Sequence, residues 1–204
     1  MDEELQDRIL RMYAAIGDTA EVDISKFRPH LGRSEKCVFV CQDFRGSLSD
    51  EQISNLAHSA ISNLANLRGH LRRWARLHGH DPNKINEAVK KSIELQVIID
   101  LSNVDKHGYP PRDGGCSKRS PKLTEVNRVM ELSIGCQPDS SSVSFALTPK
   151  PVVQVVGSGA ATVVVSGRIV DKAGSYLGDL HAFLTKGTAA WEHLVAQLGV
   201  KKER

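Results

Sequence analysis

The sequence predicts an α+β protein, in which an N-terminal antiparallel helical bundle is followed by a small antiparallel β-meander and a C-terminal helix. Two observations lead to this fold class. Three segments of the first half repeat apolar residues every three or four positions, whereas the chain beyond residue 123 repeats them every second position. Residues 108–123 separate the two patterns and contain three prolines and three glycines. We therefore predict a helical domain over 1–115 and a sheet with a helix over 116–204.

The first half contains three helical patterns. They cover residues 1–17, about 50–79 and about 83–106. The second is the longest, since its apolar stripe lasts more than six turns from Ile53 to Trp74, and either Ser47 or Ser49 fits its N-cap. A short turn joins the second and third helices, so we expect them to pack as an antiparallel hairpin. Only one short strand, 37–41, is predicted between the first two helices.

The second half contains short β-type runs separated by turn residues. They are "RVMELSI", "SVSFAL", "VVQVV", "ATVVVSGRIV" and "SYLGDL". Gly108, Pro110 and Pro111 end the third helix before these runs begin. A last helix, roughly 178–198, carries an apolar face that we expect to cover one side of the sheet.

Composition limits the classes of protein to which the chain can belong. The net charge is only +3, and no apolar run approaches the roughly 20 residues that cross a bilayer. The acidic start "MDEELQDRIL" is unlike a secretory signal, so we expect a cytoplasmic protein without a membrane partner. The four cysteines, at 37, 41, 116 and 136, do not form two close pairs. We expect reduced thiols, no metal and no cofactor.

Polar residues interrupt the apolar stripe near the end of the third helix. Asp100 and His107 occupy positions where the helical period places apolar residues, and both sides of this segment are apolar. Such groups need partners when buried, and the hairpin would bring His70 close to Asp100 and Asn103. One interpretation is a satisfied core network that fixes helix register. The other is a catalytic site beside a basic loop. In it His107 is the general acid or base, Lys106 and a loop arginine contact the phosphate, and Asn103 and Asp100, next to His70, orient these groups.

Basic residues concentrate in two segments. The second helix carries Arg68, Arg72, Arg73 and Arg76, and the following loop adds Arg112, Lys118, Arg119 and Lys122. If the two segments line one groove, they would form the positive surface of a nucleic-acid binder. We therefore select six of these as candidate binding residues: Arg72, Arg73, Arg76, Arg112, Lys118 and Arg119. The alternative is an ordinary solvated helix face.

Residues 43–115 carry two motifs that resemble a family of uncharacterised bacterial proteins. One is His-Leu-x-x-Trp, here His70, Leu71 and Trp74 within "RGHLRRW". The other is Asp-Leu-x-Asn-x-x-Lys-His, here "DLSNVDKH" from Asp100 to His107. This resemblance implies a family but no activity.

The helical part also resembles the HEPN superfamily, whose ribonucleases are helical bundles, frequently dimeric and common in toxin and phage-defence systems. The resemblance implies an RNA partner and a homodimer. Members use an arginine and, four to six residues later, a histidine, a spacing that Arg73 forms here with His78 or His80. The histidine transfers protons and the arginine stabilises the phosphate, without a metal. Binding of RNA without cleavage is the other outcome.

Three functions therefore compete at the level of sequence. The first is RNA binding or metal-independent RNA cleavage centred on His107. The second is a non-catalytic dimeric interaction module, whose apolar dimer face would come from Leu56, Leu77 and Leu95. The third, a metal hydrolase using His70, His78, His80 and Asp100, ranks last because no metal-binding motif accompanies these residues.

Overall fold

The computed structural model describes residues 3–27, 30–33, 38–133, 142–146, 152–156 and 160–199. Its helices are α1 (Glu3–Gly17), α2 (Asp50–Leu77), α3 (Asn83–Lys91), α4 (Ile93–His107) and α5 (Leu180–Gln197). Its strands are β1 (Ala20–Glu21), β2 (His30–Arg33), β3 (Val38–Cys41), β4 (Lys122–Ser133), β5 (Ser142–Ala146), β6 (Val152–Val156), β7 (Ala160–Val170) and β8 (Tyr176–Asp179). The α+β class predicted from the sequence is confirmed, with a helical bundle, a small sheet and a C-terminal helix.

Ser49 is the N-cap of α2, which settles the choice between the two serines. Its side chain accepts a hydrogen bond from the Gln52 backbone N–H, and the Gln52 side chain accepts one from the Ser49 N–H. This reciprocal pair is a capping box, and it satisfies two backbone donors that would otherwise lack partners at the start of the helix.

The single third helix predicted over 83–106 is wrong, because the chain breaks at Ser92 into α3 and α4. Ser92 has extended backbone angles, φ −113° and ψ 112°, and its Oγ accepts a hydrogen bond from the Leu95 N–H. The side-chain amide of Gln96 then donates hydrogen bonds to the carbonyls of Val89 and Lys90 at the end of α3. Ser92 therefore ends one helix and caps the next.

The main sheet is antiparallel and four-stranded. Its order is β1-β7-β4, and β8 also pairs with β7. The long β4–β7 ladder runs from Lys122↔Val170 to Ser133↔Ala160 and contains one irregularity between Thr124 and Asn127. The predicted meander, in which consecutive strands pair, does not describe this sheet. Strands β5 and β6 pair only with each other among the described strands, and β4 pairs with β7 across that hairpin because their long ladder joins residues distant in sequence.

The N-terminal region contains more strand than the sequence predicted. Strand β3 matches the predicted strand 37–41, but β2 precedes it and the two form a hairpin from His30↔Cys41 to Arg33↔Val38. Strand β1 pairs with β7 at Ala20↔Val164, so the connection between α1 and α2 contributes an edge to the main sheet.

One hydrophobic core joins the helices to the sheet. It includes buried residues of α1, α2, α3, α4, α5 and β7. Trp191 of α5 lies at the centre of this core and is 1% exposed. Its indole N–H donates a hydrogen bond to the Leu64 carbonyl of α2 at 3.1 Å. Burying each large apolar side chain contributes about 1.5–3 kcal/mol. Because this core crosses residue 115, the predicted helical part and the predicted sheet pack as one unit.

Candidate functional site

The Asp100 carboxylate holds the loop that follows α4. Asp100 is 0% exposed, and its oxygens accept hydrogen bonds from the Cys116 N–H at 2.6 Å, the Ser117 N–H at 2.8 Å and the Ser117 Oγ at 2.6 Å. We call residues 108–121 the anchored loop. Hydrogen bonds to an ionised acceptor are stronger than neutral ones, so this contact fixes the middle of the loop against α4.

The conformation of the anchored loop depends on two glycines. Gly114 and Gly115 have φ values of +77° and +76°, which residues with a side chain rarely adopt. At Gly115 a Cβ would lie 2.5 Å from the carboxyl atoms of Asp100, so a side chain there would collide with the anchor. Further hydrogen bonds close the loop, from Ser120 N–H to the Gly114 carbonyl and from Lys172 N–H to the Arg119 carbonyl.

His70 and Asp100 do not form the shared pocket that the sequence suggested. The described hydrogen bonds of Asp100 all come from the anchored loop. His70 instead lines a small cavity with Glu4, Leu5, Arg73 and Trp74, on the side of α2 that faces α1. Asp100 therefore contacts the Ser117 hydroxyl and two backbone N–H groups instead of His70. No sequence motif marks backbone donors, because every residue except proline has one.

The environment of His70 makes the stability of the fold depend on pH. Burial and then the nearby Arg8 guanidinium lower the pKa of His70, while Glu4 acts in the opposite direction. The pKa of His70 is lower in the folded protein than in the unfolded chain. The contribution of the neutral imidazole to the free energy of unfolding is therefore fully present above about pH 6.5, and it is lost as the pH falls. We expect His70→Gln to flatten the dependence of the free energy of unfolding on pH between about pH 5 and 7. Urea titrations of both proteins would measure this, and equal slopes would contradict it.

Lys106, His107 and Asn103 lie exposed at the C-terminal end of α4. Lys106 donates its Nζ to the Asn66 Oδ1 of α2 at 2.8 Å. Positive groups in the last turn of a helix also interact favourably with the helix dipole. These three predicted site residues are neighbours on the surface, but the buried Asp100 points into the anchored loop rather than towards a common catalytic centre.

The anchored loop and its surroundings present a group of exposed cations. Arg112, Lys118 and Arg119 are exposed on the loop, and the Lys172 N–H bonds to the Arg119 carbonyl, which places the β7–β8 turn beside them. The nearby Asp171 carboxylate accepts hydrogen bonds from its own turn, at Ala173 and Ser175. The basic loop surface consists of the cations Lys106, Arg112, Lys118, Arg119 and Lys172, together with the exposed His107 imidazole.

The arginines of α2 do not share one face. Arg73 lies 3.6 Å from the Glu4 carboxylate of α1, whereas Arg68 donates to the Asn86 Oδ1 of α3 at 3.0 Å. Arg76 is exposed, and Arg72 is half-buried. The predicted single groove therefore does not include Arg73. Arg68 belongs to the basic run of α2 but is not among the six candidate binding residues. It is the arginine that lies beside the anchored loop.

Arg68 and the loop residue Cys116 line the same polar cleft between α2 and α3. We call this space, of about 470 Å³, the interhelical cleft. Asn86, Glu87 and Lys90 of α3 form its opposite wall. The break at Ser92 allows α3 to form this wall of the interhelical cleft. The single continuous helix predicted over 83–106 did not indicate such a cleft.

The arginine and histidine residues with HEPN-like spacing are engaged in packing. The rings of His78 and His80 stack on Trp74 at centroid distances of 4.7 and 5.0 Å. The Nδ1 of His78 also lies 3.0 Å from the Trp74 carbonyl, and Arg73 is turned towards Glu4. This arrangement does not bring an arginine and a histidine together at one phosphate position.

The residues proposed for an apolar dimer face have different environments. Leu95 is 1% exposed and belongs to the core, and Leu56 is partly buried against it, whereas Leu77 is 67% exposed. The large exposed apolar residues in the described part of the chain belong to different elements: Leu10, Val22, Leu77, Ile93, Tyr109 and Tyr176. A continuous apolar face on the helical hairpin is therefore not formed by these leucines.

Among the described residues, no group of three or more histidine, cysteine, aspartate or glutamate side chains is arranged to hold a metal ion. Within the same residues, no helix combines the length and apolar character needed to cross a bilayer. No protein-family model, curated protein or solved structure matches the chain, so the geometry of the site alone supports a functional conclusion.

Proposed function

We propose that this protein binds single-stranded RNA and contacts its phosphates through the basic loop surface. The observation that carries the proposal is the anchoring of the loop. The buried Asp100 carboxylate fixes the loop through two backbone N–H groups and the Ser117 hydroxyl, while Arg112, Lys118 and Arg119 remain exposed. A loop that is ordered before binding loses less conformational entropy on binding, so its cations contribute more to affinity.

The geometry supports binding more strongly than cleavage. Metal-independent cleavage needs a proton-transfer group and a cation placed at the same phosphate. Asp100 is occupied by the loop, and Arg73 and His78 are occupied by Glu4 and Trp74. His107 is exposed beside Lys106 and suits a phosphate contact. RNA is the class of nucleic acid that the HEPN resemblance predicts.

Reversing the charge of the loop tests this function. We expect the triple variant Arg112→Glu, Lys118→Glu and Arg119→Glu to bind a fluorescent RNA of about 20 nucleotides at least about tenfold more weakly at about 50 mM salt. Three lost phosphate contacts should also reduce the slope of log K against log salt by about 2, at about 0.7 per contact on single strands. Fluorescence anisotropy measures both quantities.

A charge-matched control separates the site from net charge. The triple variant Arg11→Glu, Arg73→Glu and Lys186→Glu changes the charge equally, but its residues pair with Asp7, Glu4 and Glu94 on α1 and α4. We expect its affinity to stay within about threefold of the wild type. Equal losses in both variants would overturn the proposed surface. Cleavage of the RNA without magnesium by the wild type, but not by His107→Ala, would replace binding with catalysis.

A further inference from the structure

The geometry points to the interhelical cleft as the place where one unstacked base of the bound RNA is held, with the Arg68 guanidinium against it. This inference rests on the proposed function and adds a base-recognition site to the phosphate contacts of the basic loop surface. The interhelical cleft is large enough to hold a base. The cleft has about 470 Å³ of space, within the range of about 300–1,000 Å³ that is common for small-ligand sites.

The charges of the interhelical cleft favour a base over a phosphate. Its walls include two cations, Arg68 and Lys90, and two carboxylates, Asp81 and Glu87. A phosphate group would be attracted by the first pair and repelled by the second. A base edge carries hydrogen-bond donors and acceptors side by side, and carboxylates and amides such as Asn86 are the side chains that read such edges.

Arg68 is oriented for a ligand. One of its terminal nitrogens donates to the Asn86 Oδ1 at 3.0 Å, which fixes the plane of the guanidinium. Guanidinium planes stack on unpaired bases. A base placed in the cleft would therefore have a guanidinium plane, held by Asn86, as its stacking partner.

Cys116 connects the interhelical cleft to the basic loop surface. It lines the cleft, its backbone N–H is held by Asp100, and Lys118 and Arg119 follow it along the chain. A strand whose phosphates lie on those cations therefore passes the mouth of the cleft. The thiol at this position also reports on occupancy of the cleft.

Alkylation of Cys116 tests the inference. The wild-type protein is treated with iodoacetamide near about pH 9, where the thiolate reacts, because burial and then Asp100 raise the pKa of Cys116. The tryptic peptide 113–118 reports Cys116 alone, and the peptides that contain Cys37, Cys41 and Cys136 serve as internal controls. Each of the four nucleoside monophosphates is compared with ribose 5-phosphate, which lacks the base.

We expect at least one nucleoside monophosphate to slow alkylation of Cys116 by about threefold or more, without an effect of ribose 5-phosphate. Arg68→Gln should abolish this protection, whereas Arg11→Gln, an exposed change on α1 outside the cleft lining, should retain it. Equal protection by ribose 5-phosphate would overturn the inference, because the cleft would then take a phosphate.

The outcomes distinguish the inference from the proposed function. If the loop variant loses RNA affinity but no mononucleotide protects Cys116, the base site is wrong and the phosphate surface stands. If the loop variant binds RNA as the wild type does, the proposed function fails. Protection of Cys116 by a nucleotide would in that case identify a free-nucleotide site, and the inference about RNA would be wrong as well.

Discussion

Asp100→Asn is expected to lower the free energy of unfolding by about 3 kcal/mol, a large fraction of the about 5–15 kcal/mol that holds a typical domain together. The carboxylate is completely buried and accepts three hydrogen bonds from two consecutive loop residues. An asparagine side chain has the same shape, but its amide nitrogen would face one of these donors. The substitution therefore removes the charge and leaves at least one buried donor without an acceptor.

Asp105→Asn is the matched control for this change. Asp105 lies on the same helix and carries the same charge, but it is exposed and its contact is with His58 at 3.5 Å. A surface pair of this kind contributes about 0–1 kcal/mol. Urea denaturation of the two variants measures the difference. If Asp100→Asn costs no more than Asp105→Asn, the carboxylate does not anchor the loop.

Gly115→Ala is expected to destabilise the protein by about 3 kcal/mol or more, whereas Gly114→Ala should cost about 1–2 kcal/mol. Both glycines have a positive φ, but Gly115, at φ 76° and ψ −163°, lies in a backbone region that essentially only glycine adopts, so the strain of an alanine is large there. The two positions also differ in the space around the added Cβ. The Cβ at Gly115 meets Asp100 at 2.5 Å, whereas the nearest atom at Gly114 is 3.7 Å away.

The Asp100 side chain cannot move aside without losing its hydrogen bonds, so the collision at Gly115 should add to the strain. Thermal unfolding of the two alanine variants side by side measures this excess. Equal stability of the two variants would show that the loop shifts freely, and the close packing of Gly115 on the carboxylate would then have no energetic consequence.

The sequence predicted the elements of the fold better than their pairing. The apolar period located α1, α2 and α5 closely, because that pattern follows directly from burial of one helix face. It did not locate the break at Ser92, since a serine inside an apolar helix pattern looks the same whether or not it caps a new helix. The pairing of β4 with β7 depends on contacts between residues distant in sequence, which alternation alone does not specify.

The candidate site shows the same limit. Asp100 was correctly identified as a buried polar group that needs partners, but its donors are the Ser117 hydroxyl and the backbone N–H groups of Cys116 and Ser117. Every residue except proline has a backbone N–H, so no sequence pattern indicated that Cys116 and Ser117, rather than His70, are the partners of Asp100. The role of Arg68 depends on Asn86, whose position relative to α2 follows from the break at Ser92.

The affinity of Asp100→Asn for single-stranded RNA tests the central claim most directly. The substitution makes the protein more positive by one charge and retains every cation of the basic loop surface, so electrostatics alone predicts tighter binding. If the anchored loop positions those cations, Asp100→Asn should bind at least about fivefold more weakly at low temperature, with its helical circular dichroism intact, and Asp105→Asn should bind as the wild type does. Binding by folded Asp100→Asn that equals or exceeds the wild-type affinity would contradict the account.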